Sequence, residues 1–261
     1  MIHCGLVSVS FRSLPCTEIV RIAKSSGLAG IEWGGDIHVP AGDLAAAEAA
    51  AELTAQAGLS VCAYGSYYRA GTYGADFHAA FQKVLDTAVH LGAPVIRIWA
   101  GNTGSAQTTP EKRRQIVTEC QAAADMSKEK NITVALECHR GTLTDTYESA
   151  VRLMQETARD NLRMYWQPNE TRDFAYNLKA LQAILPYLVH VHVFHWPDTT
   201  RREPLACGLT EWEAYLSVIA SGGKPHWCSL EFMPDDHPDS LPAEAAVLTA
   251  AVRDAMHISE T

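Results

Sequence analysis

The sequence predicts an α/β protein, a single (β/α)8 TIM barrel with residues 1–261 as one domain, on three observations. Short apolar runs alternate eight times with longer amphipathic patterns, and glycines fall where helices should stop. The chain also divides into eight repeats of roughly 33 residues, room for one strand, one helix and two loops each. Regular βα alternation favours a closed barrel over an open doubly wound sheet.

A strand-like run at residues 3–10 leads to a helical pattern at 17–25, closed by Gly27 before a second run at 29–33. Residues 43–57 are rich in alanine, the best helix former, and Gly58 separates them from a strand at 59–64. A helix at 76–91 stops at Gly92, and a strand at 94–99 follows. Thr109, Pro110 and Glu111 then read as the capped start of a helix at 110–130. Runs at 132–136, 162–166, 188–191 and 227–230 are too short for typical helices and are expected as strands. Helices at 146–158, 174–185, 210–220 and 241–256 complete the repeats. The longest connections, 34–42, 65–75 and 195–208, follow strands, where barrels build their pockets, and residues 64–73 offer an aromatic wall.

A formal charge of −9 argues against broad attraction to nucleic acid or an anionic membrane and suits a small neutral or metal-chelating substrate. Seven cysteines with no CxxC pair do not make a disulfide framework, which points to reduced thiols and a cytoplasmic protein. The amino terminus lacks a basic segment followed by a long apolar stretch, and no run reaches membrane-spanning length. A homo-oligomer is compatible with a barrel of this kind.

Each of the last four strands ends in or beside a residue able to hold a divalent cation: Glu137, Gln167, His192 and Glu231. Singly, each has an ordinary structural explanation as an ion pair, a loop cap or a core histidine. Parallel strands would nevertheless bring all four to one rim, where two carboxylates repel unless a cation lies between them. Two carboxylates, an imidazole and an amide oxygen suit one fairly hard divalent ion such as Mn2+, Mg2+ or Co2+ without fixing which; Mn2+ is the ion expected, with Mg2+, Co2+ or Zn2+ as alternatives. Strand alternation puts His190 and His192 on the same side, and His192 lies nearer the active end, so His190 is expected deeper. Substrate contacts are expected from Glu32 and His38 after the second strand, Tyr64 and Ser66 around the end of the third, and Trp99 at the end of the fourth. His139, two residues beyond Glu137, and His195 are expected to join them.

Several segments carry a resemblance: Gly30-Ile31-Glu32-Trp33-Gly34-Gly35-Asp36-Ile37-His38-Val39-Pro40, Ala135-Leu136-Glu137-Cys138-His139, His190-Val191-His192 and Ser229-Leu230-Glu231, with Gly208-Leu209-Thr210-Glu211-Trp212. On these the chain resembles, nearly end to end, the xylose-isomerase-like TIM-barrel superfamily of sugar phosphate isomerases and epimerases, related to endonuclease IV. The resemblance implies ligands Glu, Asp, His and Glu, which fall on Glu137, Gln167, His192 and Glu231. Gln167 departs from the pattern, and Glu170 stands where the family often has histidine. A neutral amide removes one negative charge, which weakens cation binding and leaves a stronger Lewis acid.

The expected activity is that of a divalent-metal-dependent isomerase or epimerase of a keto-sugar or sugar phosphate. It acts by proton abstraction next to a carbonyl through an enediolate, with Glu137 and Glu231 as acid/base pair. Metal-dependent elimination of water from a keto-sugar or inosose begins the same way and is the alternative. A noncatalytic sugar-binding or subunit role is a third. The acidic balance and missing ligand match argue against a nuclease.

Overall fold

A computed structural model describes residues 1–259, with side chains through residue 257. Eight parallel strands close into a barrel in sequence order. They are β1 (Ile2–Val7), β2 (Gly30–Gly34), β3 (Ser60–Ala70), β4 (Val95–Ala100), β5 (Thr133–Glu137), β6 (Leu162–Trp166), β7 (Leu188–Val193) and β8 (His226–Leu230). Pairing of β1 with β8, Gly5 opposite Ser229, shuts the ring and leaves no sheet edge. Helices α1 (Cys16–Ser25), α2 (Leu44–Gln56), α3 (Phe77–Leu91), α4 (Pro110–Lys128), α5 (Tyr147–Thr157), α6 (Phe174–Ile184), α7 (Leu209–Ser221) and α8 (Leu241–Ser259) surround it. Each packs on the next, and α8 returns to α1.

The local chemistry explains the boundaries. Asp43, Thr109, Thr146 and Asp173 each accept a hydrogen bond from a first-turn backbone N–H, capping α2, α4, α5 and α6. Gly92 ends α3 in the left-handed region, at φ 70°. Strand residues alternate between two apolar environments. Ile31, Trp33, Val134, Leu136, Met164 and Val191 point out beneath the helices, into the main core. Ala63, Val95, Ala135 and Tyr165 form a separate cluster of buried residues.

Two elements differ from expectation. The first strand stops at Val7, and Ser8–Phe11 coil into a buried 3-10 turn. β3 continues through half of the connection expected at 65–75, reaching Ala70 with a register irregularity between Gly65 and Arg69. Beyond the irregularity Tyr68 and Ala70 are buried while Tyr67 and Arg69 are half-buried, so alternation persists past the rim. The seven cysteines are free. No described helix is long and apolar enough to cross a membrane.

Candidate active site

Period-two alternation brings Arg97 and Trp99 to one face of β4, and Glu137 and His139 to one face of β5 and its continuation. The same rule pairs Tyr165 with Gln167 and His190 with His192. Arg97, Trp99, Glu137, His139 and Gln167 line a cavity of about 280 Å³, near the lower limit of ligand pockets, which run from roughly 300 Å³, with Tyr165, His190 and His192 buried beneath it.

His192, fully buried, is the centre. Its Nε2 lies 3.1 Å from Glu32 Oε2, an acceptor, so Nε2 carries the proton. Its Nδ1 faces three oxygens: Gln167 Oε1 at 3.2 Å, Glu231 Oε2 at 3.4 Å and Glu137 Oε1 at 3.7 Å. Two ligands bonded to one ion at about 2.1 Å each stand no more than about 4.2 Å apart, and all three distances meet that limit. Glu32 fixes the imidazole tautomer in the way a carboxylate beneath a ligating histidine does. Among the described residues, no three His, Cys, Asp or Glu side chains form a ready metal-binding group by themselves. The Gln167 amide adds a third oxygen within 3.7 Å of His192 Nδ1.

Beneath this set runs a buried ionic chain. Arg97, 2% exposed, lies 3.5 Å from Glu32 Oε1 through Nε and 3.0 Å from Glu137 Oε2 through Nη1. Tyr165 donates to Glu32 Oε2 at 2.8 Å. Gly65 makes room, because a Cβ there would come within 2.6 Å of Glu32 Oε1 and 2.9 Å of Arg97 Nη2. Burial pushes both carboxyls up, but for Glu32 the His192 and Arg97 charges, and for Glu137 those of Arg97 and His192, pull harder, leaving each near 2. Glu231 differs: burial, reinforced by Glu137, holds its carboxyl above the usual range against the pull of His192. Burial opposes the charged imidazole of His192, yet Glu231 and Glu32 raise its affinity for a proton well above normal. The site is therefore built to stabilise positive charge at Nδ1.

The expected ligands Glu137, Gln167, His192 and Glu231 thus come together. Trp99 and His139 line the cavity. Five other expected contacts stand elsewhere, four of them deeper. Glu32 is under His192 with both oxygens engaged, and His38 bonds Ser8 Oγ and the Leu14 carbonyl. Tyr64 donates to the Val39 carbonyl, Ser66 to the Arg97 carbonyl, and all four are buried. His195 packs over Gly208 beside Glu203 rather than on the cavity wall. His190 lies deeper, as expected, receiving the Trp227 N–H.

Sequence reasoning missed the cations. Arg12, Arg69, Arg97 and Arg140 all line the cavity, with Tyr67, Trp196 and Phe232. Arg97 carried a signal, a charge inside an apolar strand. Arg140 forms an ion pair with Glu170 at 3.0 Å, so the two loop residues hold each other at the rim. Phe232 follows Glu231 at φ 57°, rare for a bulky residue, with its N–H donated to Ser10 Oγ and the Arg12 and Arg202 guanidinium groups near its ring.

A family model described as xylose isomerase-like TIM barrel matches residues 20–251. A 3-dehydroshikimate dehydratase of Bacillus anthracis is 25% identical over 276 aligned positions, covering 94% of this chain and 96% of that protein. The crystal structure of a probable 3-DHS dehydratase from Bacillus anthracis superimposes with TM-score 0.79 at 23% identity, over 95% of this chain and 99% of the other. An L-ribulose 3-epimerase structure gives 0.77 at 15% identity, over 100% and 97%. With its closed barrel and a family match over most of its length, the chain belongs to the xylose isomerase-like TIM barrel family.

Proposed function

We propose that this protein is a metal-dependent lyase that removes water from a hydroxy-ketone, with epimerisation of a keto-sugar as the second reading. The observation that carries the proposal is the pairing, in one cavity, of a three-oxygen nest around His192 Nδ1 with a separate base, His139. The near full-length likeness to a dehydratase supports the reaction class. Glu137, Gln167, His192 and Glu231 would hold the ion, Mn2+ by preference. Such an ion, when bound, polarises a ketone oxygen and so acidifies the neighbouring carbon.

The chain's own groups divide the remaining work. His139 Nδ1 lies 2.6 Å from the Arg140 carbonyl, which can only accept, so Nδ1 carries the proton and Nε2 the lone pair. That lone pair takes the proton from the carbon beside the ketone. The C–O bond one carbon further on breaks as the carbon–carbon double bond forms, and the departing hydroxide leaves as water with the proton that His139 has taken. Glu231, with Oε2 3.4 Å from His192 Nδ1, completes the oxygens at the centre, while Glu137 stays ionised against Arg97. Trp99, edge-on to His139 with centroids 5.7 Å apart, holds the imidazole in place and walls the cavity.

The second reading rests on a specific feature, two glutamates within 3.7 Å of one imidazole nitrogen. With the substrate between them, removal by one and return by the other inverts a carbon without loss of water. A screen of hydroxy-ketones with added Mn2+ in deuterated water tests both. Dehydration predicts an unsaturated product and its loss in His139→Gln. Deuterium at the original carbon with no change in composition would replace the lyase assignment by the epimerase one, and turnover indifferent to chelator would remove the metal from both.

A further inference from the structure

Resting on the reading that a hydroxy-ketone occupies this cavity, we infer that Arg69 and Trp99 anchor a single carboxylate carried by that substrate. The argument begins with charge. Of the four arginines on the cavity wall, Arg12 pairs with Asp36 at 2.7 Å, Arg97 with Glu32 and Glu137, and Arg140 with Glu170. Arg69 is the remaining one, and among the described residues it has no carboxylate within ion-pair distance. Its polar contact is a long one, from Nη1 to the Gly101 carbonyl at 3.4 Å.

Its placement is unfavourable without an anion. The Arg69 guanidinium carbon sits 4.1 Å from the centroid of the Trp99 ring, and that of Arg97 sits 4.7 Å from the same ring. Each cation is attracted to the indole, but two like charges on one ring repel. Arg97 is neutralised by its glutamates and Arg69 is not. Trp99 is itself 7% exposed, and its Nε1–H, a donor only, has no acceptor. A buried N–H without a partner is costly, and here it adjoins an unpaired cation on the wall of a cavity. One guanidinium and one indole N–H supply charge-assisted bonds for a monoanion. A phosphate dianion would need a second free cation, and the other three arginines are already paired.

The backbone holds this anchor still. Arg69 follows the β3 irregularity, and two residues later the Gly71 N–H is bound by the buried Glu119 of α4. Glu119 acts as a positioning residue for this stretch of strand.

Calorimetric titration with benzoate and benzamide, and with cyclohexanecarboxylate and its amide, tests the anchor on probes that cannot react. The wild-type protein should bind each acid about tenfold to a hundredfold tighter than its amide. Arg69→Gln should bring the acid down to the level of the amide and leave the amide unchanged, and Arg69→Lys should recover part of the difference. Inorganic phosphate should displace benzoate no better than chloride does. Equal binding of acid and amide by the wild type, or a preserved difference in Arg69→Gln, would overturn the anchor, and strong displacement by phosphate would overturn the monoanion assignment. Neither probe is a hydroxy-ketone, so a protein that prefers acids yet dehydrates nothing keeps the anchor and loses the reaction.

Discussion

The two halves of the barrel contribute opposite things to the same cavity. β1 to β4 and their loops bring cations and aromatic rings: Arg12, Tyr67, Arg69, Arg97 and Trp99. β5 to β8 bring the oxygens and imidazoles to which the proposed chemistry is assigned: Glu137, His139, Gln167, His192 and Glu231. The halves touch through Arg97 to Glu137 and Glu32 to His192, so the first half also sets the charge and orientation of the second. Reactive groups placed on one side of a rim are tuned by fixed charges placed on the other.

The strongest way to break this division is to silence the second half. Glu137→Gln and Glu231→Gln are each expected to lower turnover by roughly 10²- to 10⁴-fold with the barrel intact, read as loss of product alongside an unchanged circular dichroism spectrum. Near-normal turnover in both folded variants would show that neither glutamate serves the reaction centre. Arg97→Met attacks the junction instead. It strands Glu32 and Glu137 in the interior and should cost about 3–5 kcal/mol in urea denaturation. A loss below about 1 kcal/mol would mean that the ionic chain does not brace the barrel.

Gln167→Asp sharpens the comparison by restoring a second-half charge. Metal titration should give binding at least about tenfold tighter, and unchanged affinity would remove Gln167 from coordination. The smallest effect concerns His38, which belongs to the first half and lies outside the cavity wall. Burial holds its affinity for a proton below the ordinary value of 6.5. The unfolded chain therefore binds the proton first, so this contribution to stability is present above about pH 6.5 and is lost as pH falls. The melting temperature should decline from pH 7.5 to 5.5, less steeply in His38→Gln, and an identical slope would exclude His38 as a source.

The same asymmetry explains what could be read from the sequence. All eight strands and helices were legible, because apolar runs and glycine stops are local signals. So was the meeting of Glu137, Gln167, His192 and Glu231 at one rim, since each stands at or beside the end of a short apolar run. Arg97 was not, because a charge in mid-strand gains meaning only when neighbouring strands show which partners face it. Arg69 was hidden by the unforeseen continuation of β3 beyond its irregularity. Glu32 stood at the right strand but at the wrong depth, one layer beneath the surface it was expected to line.

Phe232 has a last consequence. Glycine would occupy its backbone twist more cheaply, by about 1 kcal/mol or more, yet the chain places a benzyl group there. Phe232→Gly should thus relax the turn while stripping a ring from the cavity wall, leaving a poorer grip on whatever enters it. Backbone ease is given up for pocket shape at a single residue.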